Sequence, residues 1–312
     1  MEYHQQRFPI YSVTFGSKDP LAPTLALIGG VHGQEKIGSH VVLSYLESLS
    51  ELLQWDEMIH KFLEKSRITF LPIANPVGMS MIQRANGNGI DLNRNSPTEA
   101  EDGSTFLVGG QRISPHLPWY RGIKGAPLEV ETQALAAFIK REVFPSRTSI
   151  AVDFHSGYGT MDRFWFLYAK SLKPFPQVAE VFALKNMLDH TYPNHVYKVE
   201  PSASSYTISG DLWDYLYDEH KKSPHATNMF MPFTLEMGSW LWLKKNPLQI
   251  FSSMGLFHPM HLHRHKRILR RHITLIEFLH RAVISSDRWA HLSRKDKEEN
   301  HKQALNLWFS NS

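Results

Sequence analysis

His32, Glu35, His155 and Glu236 are the residues of this chain whose types and spacing suit hydrolytic chemistry. They stand in three separated places: Gly-Gly-Val-His-Gly-Gln-Glu at 29–35, Val-Asp-Phe-His at 152–155, and Phe-Thr-Leu-Glu at 233–236. Two imidazoles and one carboxylate suit a Zn²⁺ ion that keeps its fourth position for water. A further carboxylate outside the ligand set suits a general base acting on that water. The set points to a zinc hydrolase with one Zn²⁺, a second ion being left open.

The elements that must position these residues give the pattern its weight. With 18 His in the chain, about one His-x-x-Glu pair arises by chance, because Glu is common. Here, however, the apolar run at 24–28 reads as a buried strand, and Gly29-Gly30 allows a sharp turn after it. Ile37, Val41, Val42, Tyr45, Leu46, Leu49, Leu52 and Leu53 then recur at helical spacing. His32 and Glu35 therefore fall on a strand-to-helix turn. His155 follows the strand-like run 149–154 at once, and Glu236 closes the run 230–235. Chemistry in parallel α/β sheets gathers at such strand ends. A carboxylate ending so apolar a strand is costly unless it is paired or functional. Asp153 is a candidate supporting partner of a ligand and is left unassigned, because strand alternation points it away from its immediate neighbours.

A long middle loop adds a second set of candidates. After the strand-like run 67–73 come a turn signal, Asn75-Pro76-Val77-Gly78, and an irregular stretch holding Arg84, Asp91, Asn93 and Arg94. Two arginines and an asparagine here suit the grip of a substrate carboxylate through forked, charge-assisted bonds.

Taken in order, these motifs resemble the zinc metallocarboxypeptidase family, over roughly residues 20–285. His32-x-x-Glu35 matches the first two zinc ligands, and His155, opening His-Ser-Gly-Tyr, matches the third. Arg84 falls where the family polarises the scissile carbonyl, and Asn93-Arg94 where it binds the terminal carboxylate. Tyr206-Thr207-Ile208-Ser209-Gly210 resembles the segment whose tyrosine closes over the substrate, and Leu235-Glu236 the strand end with the catalytic glutamate. The run from Arg84 to Asn95 is especially similar to the bacterial branch, and related enzymes include murein peptide amidases, succinylglutamate desuccinylase and aspartoacylase. There are departures: Gln34 stands where an arginine is often seen, there is no obvious pro-segment, and no cysteines are available for disulfides.

The resemblance implies an α/β fold, a three-layer α/β/α sandwich with a mixed, mainly parallel central sheet. It implies a catalytic domain over 1–285, followed by a polar segment, 286–312, that is a loose tail or docks through Trp308. Helices are expected near 36–53, 130–142, 176–190, 210–219 and 266–284. The implied activity is hydrolysis of a C-terminal amide bond, on a peptide or amidated amino acid with a free carboxylate. Glu236 would be the base, Arg84 the oxyanion partner, Asn93 and Arg94 the carboxylate site, and Tyr206 the cap. Asp211 is the candidate for a pocket floor favouring basic side chains; the competing reading makes it the cap of the helix starting near Leu212. The alternatives are a zinc amidohydrolase acting on N-acyl amino acids or murein peptides, and a non-catalytic binding module. The presence of all four core residues argues against the last.

Composition narrows the setting. The chain has 312 residues, 42% of them hydrophobic and 12% aromatic, no cysteine, and a formal net charge of +4. This fits a globular protein without disulfides or thiolate metal sites. No apolar stretch reaches transmembrane length, and the first residues lack a signal-peptide apolar core. A cytoplasmic location is therefore expected, with neither membrane nor nucleic acid as partner. Gly87-Asn88-Gly89 lacks the spacing of a phosphate cradle. The basic stretch His263–His272 reads as the wet face of an amphipathic helix whose Leu269, Ile273, Ile276, Leu279 and Val283 face the core. His258, His261, His263 and His265 in and before it have no nearby carboxylate to complete a recognisable metal site.

Overall fold

The structure is a computed structural model that describes residues 2–252 and 255–310. A short hairpin of β1 (Glu2–Tyr3) and β2 (Gln6–Arg7) precedes the main sheet. That sheet holds β3 (Val13–Gly16), β4 (Thr24–Gly29), β5 (Arg67–Leu71), β6 (Thr148–Ser156), β7 (Arg163–Phe166), β8 (Lys198–Pro201) and β9 (Met229–Met237). Its order is β3-β5-β4-β6-β9-β7-β8. β5, β4, β6 and β9 run parallel, while β3 against β5 and β7 against β9 are antiparallel. Every residue of β4, β5 and β6 is buried, so both faces of the sheet centre are covered, the usual state of parallel strands. The expected mixed, mainly parallel α/β architecture is the one observed.

Helix α1 (Lys36–Leu52) buries Ile37, Val41, Tyr45 and Leu49 as one stripe, four residues apart, against β4 and β6. The other helices are α2 (Glu57–Lys65), α3 (Pro76–Met81), α4 (Val130–Glu142), α5 (Val178–Thr191), α6 (Leu212–Lys222), α7 (Trp240–Lys245), α8 (Leu262–Ile284) and α9 (Arg294–Trp308). The five helices expected from apolar spacing appear as α1, α4, α5, α6 and α8. α6 packs on β9 and against α4, and α8 packs on α1. α9 lies along α5. Trp308 there stacks edge-on against Phe166 at 4.7 Å and donates its indole N–H to the Val199 carbonyl at 2.9 Å.

The buried stripe of α8 is rotated from the one read in the sequence. Ile276, Leu279 and Val283 are buried, but Leu269 and Ile273 are only partly so. His272 and His280 take core positions instead. Each imidazole brings its own partner, which is why apolar counting misses it: His272 Nδ1 lies 3.0 Å from the Tyr197 hydroxyl and His280 Nε2 2.9 Å from Ser66 Oγ.

Burial pushes His272 down to about 4. Its folded pKa thus lies below the unfolded value of about 6.5. The contribution to stability is complete above about pH 6.5 and is lost as pH falls toward 4. The stability difference between wild type and His272→Gln is therefore expected to shrink by about 1.4 kcal/mol per pH unit between pH 6 and 4.5. Urea unfolding at several pH values measures it, and a difference independent of pH would remove His272 as an acid-sensitive group.

Candidate metal centre and cleft

The chain leaves β4 for β5 on one side of the sheet and later returns to place β6 on the other side. The crevice outside the carboxyl ends of β4 and β6 is thus a topological switch point, where open α/β sheets bind ligands. His32 and Glu35 lie in the β4–α1 turn, His155 near the end of β6, and Glu236 near the end of β9. His155 and Glu236 are register partners on the two adjacent strands.

Close backbone packing holds the β4–α1 turn. Gly30 sits at φ +67°, where a side chain is strained, and a Cβ there would meet Ser39 Oγ at 2.6 Å. A Cβ on Gly33 would lie 2.0 Å from the Gly78 carbonyl carbon. The ligand turn therefore rests directly on the Asn75–Gly78 turn. Asn75 locks both: its Oδ1 accepts from Gly78 N at 2.9 Å, and its Nδ2 donates to the Val31 carbonyl at 3.3 Å.

His32, Glu35 and His155 each offer one ligand atom within 4.8 Å of the others, and all three are buried. Glu35 Oε2 accepts from Ser156 N at 2.9 Å and lies 3.1 Å from His155 Nδ1. His32 Nδ1 is buried, makes no hydrogen bond, and lies 3.6 Å from Asp91 Oδ1. An orphaned ring nitrogen beside a carboxylate and a second imidazole is the donor set that Zn²⁺ fills, so these residues fit the ion.

The charges support one another. Burial alone would raise Glu35, but the His32 and His155 rings and Arg84 outweigh it and hold the carboxyl below its usual range. Burial alone would lower His155, but Asp153 and Glu35 outweigh it and raise the ring well above the usual histidine range. Burial, followed by Arg84, drops His32 well below that range. Burial, followed by the Glu35 charge, pushes Glu236 up to about 8. Glu236 Oε1 accepts from Tyr158 N at 3.0 Å.

Asp153 stands directly behind His155. Its Oδ2 lies 2.7 Å from His155 Nε2 and accepts the Trp213 indole N–H at 2.9 Å. Residues two apart on a strand share a face. The same alternation that turned Asp153 from its immediate neighbours therefore brings it to His155. A carboxylate on the far nitrogen fixes the ring's orientation and tautomer, as around metal-binding histidines generally.

The loop residues converge on the same place. Arg84 donates from Nε to Asp91 Oδ2 at 2.7 Å and from an Nη to Glu35 Oε1 at 3.2 Å, and its other Nη lies 2.7 Å from His32 Nε2. Asp91 Oδ1 also accepts from Asn93 N at 3.0 Å, so one carboxylate orders both ends of the loop. Arg94 is buried and donates to the carbonyls of Val108 and Asn93. Tyr206 stands in an aromatic wall, 5.6 Å from Tyr158 and 6.1 Å from Trp165 between ring centroids. Asp211 caps α6, its Oδ1 accepting from Trp213 N and Asp214 N, both at 2.9 Å. All nine residues singled out in the sequence border one cleft of about 750 Å³. Its wall also includes Tyr158, Trp165, Trp240 and Phe257, which carry no spacing signal in the sequence.

A zinc carboxypeptidase family model matches residues 5–247. The catalytic chain of carboxypeptidase N from Rattus norvegicus is 30% identical over 141 residues, 40% of this chain and 30% of that protein. Carboxypeptidase D from Homo sapiens is 25% identical over 246 residues, 72% of this chain and 16% of that protein. The matched segments thus span less than a third of the length of these curated relatives. Among solved structures, thrombin-activatable fibrinolysis inhibitor superposes with a TM-score of 0.63 at 20% identity, over 92% of this chain and 67% of that one. This last likeness is one of fold.

Proposed function

The chain belongs to the zinc carboxypeptidase family, and from that premise we propose that it hydrolyses the amide bond before a C-terminal residue bearing a free carboxylate. The observation that carries this reading is the convergence of His32, Glu35 and His155 at the ends of β4 and β6, with Glu236 in register beside His155. Zn²⁺ held by His32, Glu35 and His155 would supply an acidified water and a positive charge for the carbonyl oxygen. Glu236 takes the proton at a carboxylate oxygen and delivers it to the leaving amine. Arg84, tied to Asp91 and Glu35, presents a guanidinium to the developing oxyanion. Asn93 and Arg94 take the substrate's terminal carboxylate, and Tyr206 covers the bound residue from the aromatic wall. The protein works in the cytoplasm on this reading; no described helix is long and apolar enough to cross a membrane.

The loop run from Arg84 to Asn95, similar to the bacterial branch, keeps murein peptides and N-acyl amino acids as the competing substrates. A turnover panel of peptides with varied C-terminal residues, murein tripeptides and N-acyl amino acids separates them. Release of free C-terminal amino acids from ordinary peptides is the expected result. Cleavage confined to murein or N-acyl substrates would replace the carboxypeptidase reading. The same panel tests Asp211. Preference for Lys, Arg or diaminopimelate ends, reversed in Asp211→Asn, would make it the specificity residue. Asn keeps an acceptor for the Trp213 and Asp214 amides, so the cap survives while the charge goes. An unchanged preference in Asp211→Asn leaves Asp211 as a cap alone.

A further inference from the structure

A second cluster of nitrogen donors lies outside the ligand set described above, built from segments far apart in the chain. His40 is on α1, five residues past Glu35; His258 is on the irregular segment before α8; His265 is in the first turn of α8. His40 Nδ1 and His265 Nε2 face each other at 2.9 Å. The His258 ring centroid is 5.3 Å from that of His40 and 5.7 Å from that of His265. One nitrogen from each ring falls within 4.8 Å of the others. His258 Nδ1 is buried and has no hydrogen-bond partner.

We infer that His40, His258 and His265 form a second metal site, separate from the catalytic ligands, that takes a divalent transition-metal ion of the Zn²⁺ class. Two facing neutral imidazoles share one proton. A tautomer shift in the donating ring frees both nitrogens for a single ion without releasing that proton to solvent. Bonds of about 2.0–2.1 Å at a tetrahedral ion put neighbouring nitrogens about 3.3 Å apart, so the observed 2.9 Å pair opens by only a few tenths of an ångström. A set made of imidazoles alone suits Zn²⁺, Cu²⁺ or Ni²⁺ and not the oxygen-seeking Mg²⁺ or Ca²⁺. Burial lowers all three rings, His258 to about 4, so at neutral pH they are in the unprotonated form that binds metal. Each ring is half-buried, which leaves a path for the ion. Lys36 is the neighbouring charge that opposes a cation here.

The site has a mechanical consequence for the cleft. Phe257 precedes His258; its carbonyl accepts the Ser156 hydroxyl at 2.7 Å, and it lines the cleft. An ion at His258 ties that wall to both α1 and α8.

The test is Zn²⁺ titration of the full chain, with bound metal measured by mass spectrometry after gel filtration. Wild type is expected to hold two equivalents, and His258→Gln and His265→Gln one each. His261→Gln, which removes a neighbouring ring outside the cluster, should still hold two. In a His155→Ala background one equivalent should remain, and it should vanish in His155→Ala/His258→Gln. This second series separates failure of the catalytic centre from failure of the new site. In wild type, amide exchange over 255–262 should slow at least severalfold when the second equivalent binds. Equal zinc content in wild type, His258→Gln and His265→Gln would overturn the site. So would loss of the second equivalent in His261→Gln, because the ion would then sit on surface histidines.

Discussion

Glu236→Gln is expected to lower kcat by about 10²–10⁴-fold, because positioned acid–base catalysis contributes that much. The substitution is nearly isosteric. Its amide oxygen can still accept from Tyr158 N, the contact that aims Glu236 Oε1. Zinc content and KM should therefore stay close to wild type while the proton acceptor is gone. A loss carried by KM would instead mean that Glu236 binds substrate and does not move a proton. Normal turnover would remove Glu236 from the mechanism. Removing the carboxyl also removes the repulsion between Glu236 and Glu35 that helps push the former up to about 8. A melting temperature at or above that of wild type would accordingly rule out misfolding as the cause of the lost rate.

The centre was legible in the sequence because its geometry is local to strand ends. The turn that carries His32 and Glu35 joins β4 to α1, and both residues line the crevice beyond the strand. The apolar runs before His155 and Glu236 identify the two strands that flank it. What the sequence hid falls into two kinds. Asp153 adds a contact that adjacent-residue alternation does not show: alternation separates neighbours but joins residues two apart, as Asp153 and His155 are. The aromatic wall and the three-histidine cluster were hidden by distance along the chain. His40 and His265 are separated by 225 positions, and only the packing of α1 on α8 brings them together. Seen alone, the histidines before and within α8 resemble a polar helix face with no carboxylate to complete a metal site. The partner that packing brings to them is another imidazole, His40. His272 and His280 escaped for a related reason, since each is a polar residue satisfied inside the core by a hydroxyl from a different element.

His155→Ala and His32→Ala should each remove the zinc equivalent of the catalytic centre and with it essentially all turnover, whereas Asp153→Asn should weaken zinc binding by only about 10–100-fold. The gradation follows from position. His155 and His32 supply donor atoms within the three-residue set, and two remaining ligands do not make the three-ligand site that catalytic zinc needs. Asp153 makes no contact with the ion on this assignment. It holds the proton on His155 Nε2, 2.7 Å away, and so leaves Nδ1 facing Glu35 at 3.1 Å. An amide at 153 keeps the shape and loses the charge, so the ring can flip its tautomer and present N–H where a lone pair is required. Excess Zn²⁺ should therefore restore activity to Asp153→Asn and leave His155→Ala inactive. Isothermal titration of metal-free protein, with activity followed on the same samples, measures both. Full zinc affinity in folded His155→Ala would break the ligand assignment. Wild-type affinity in Asp153→Asn would reduce Asp153 to a partner of the Trp213 indole.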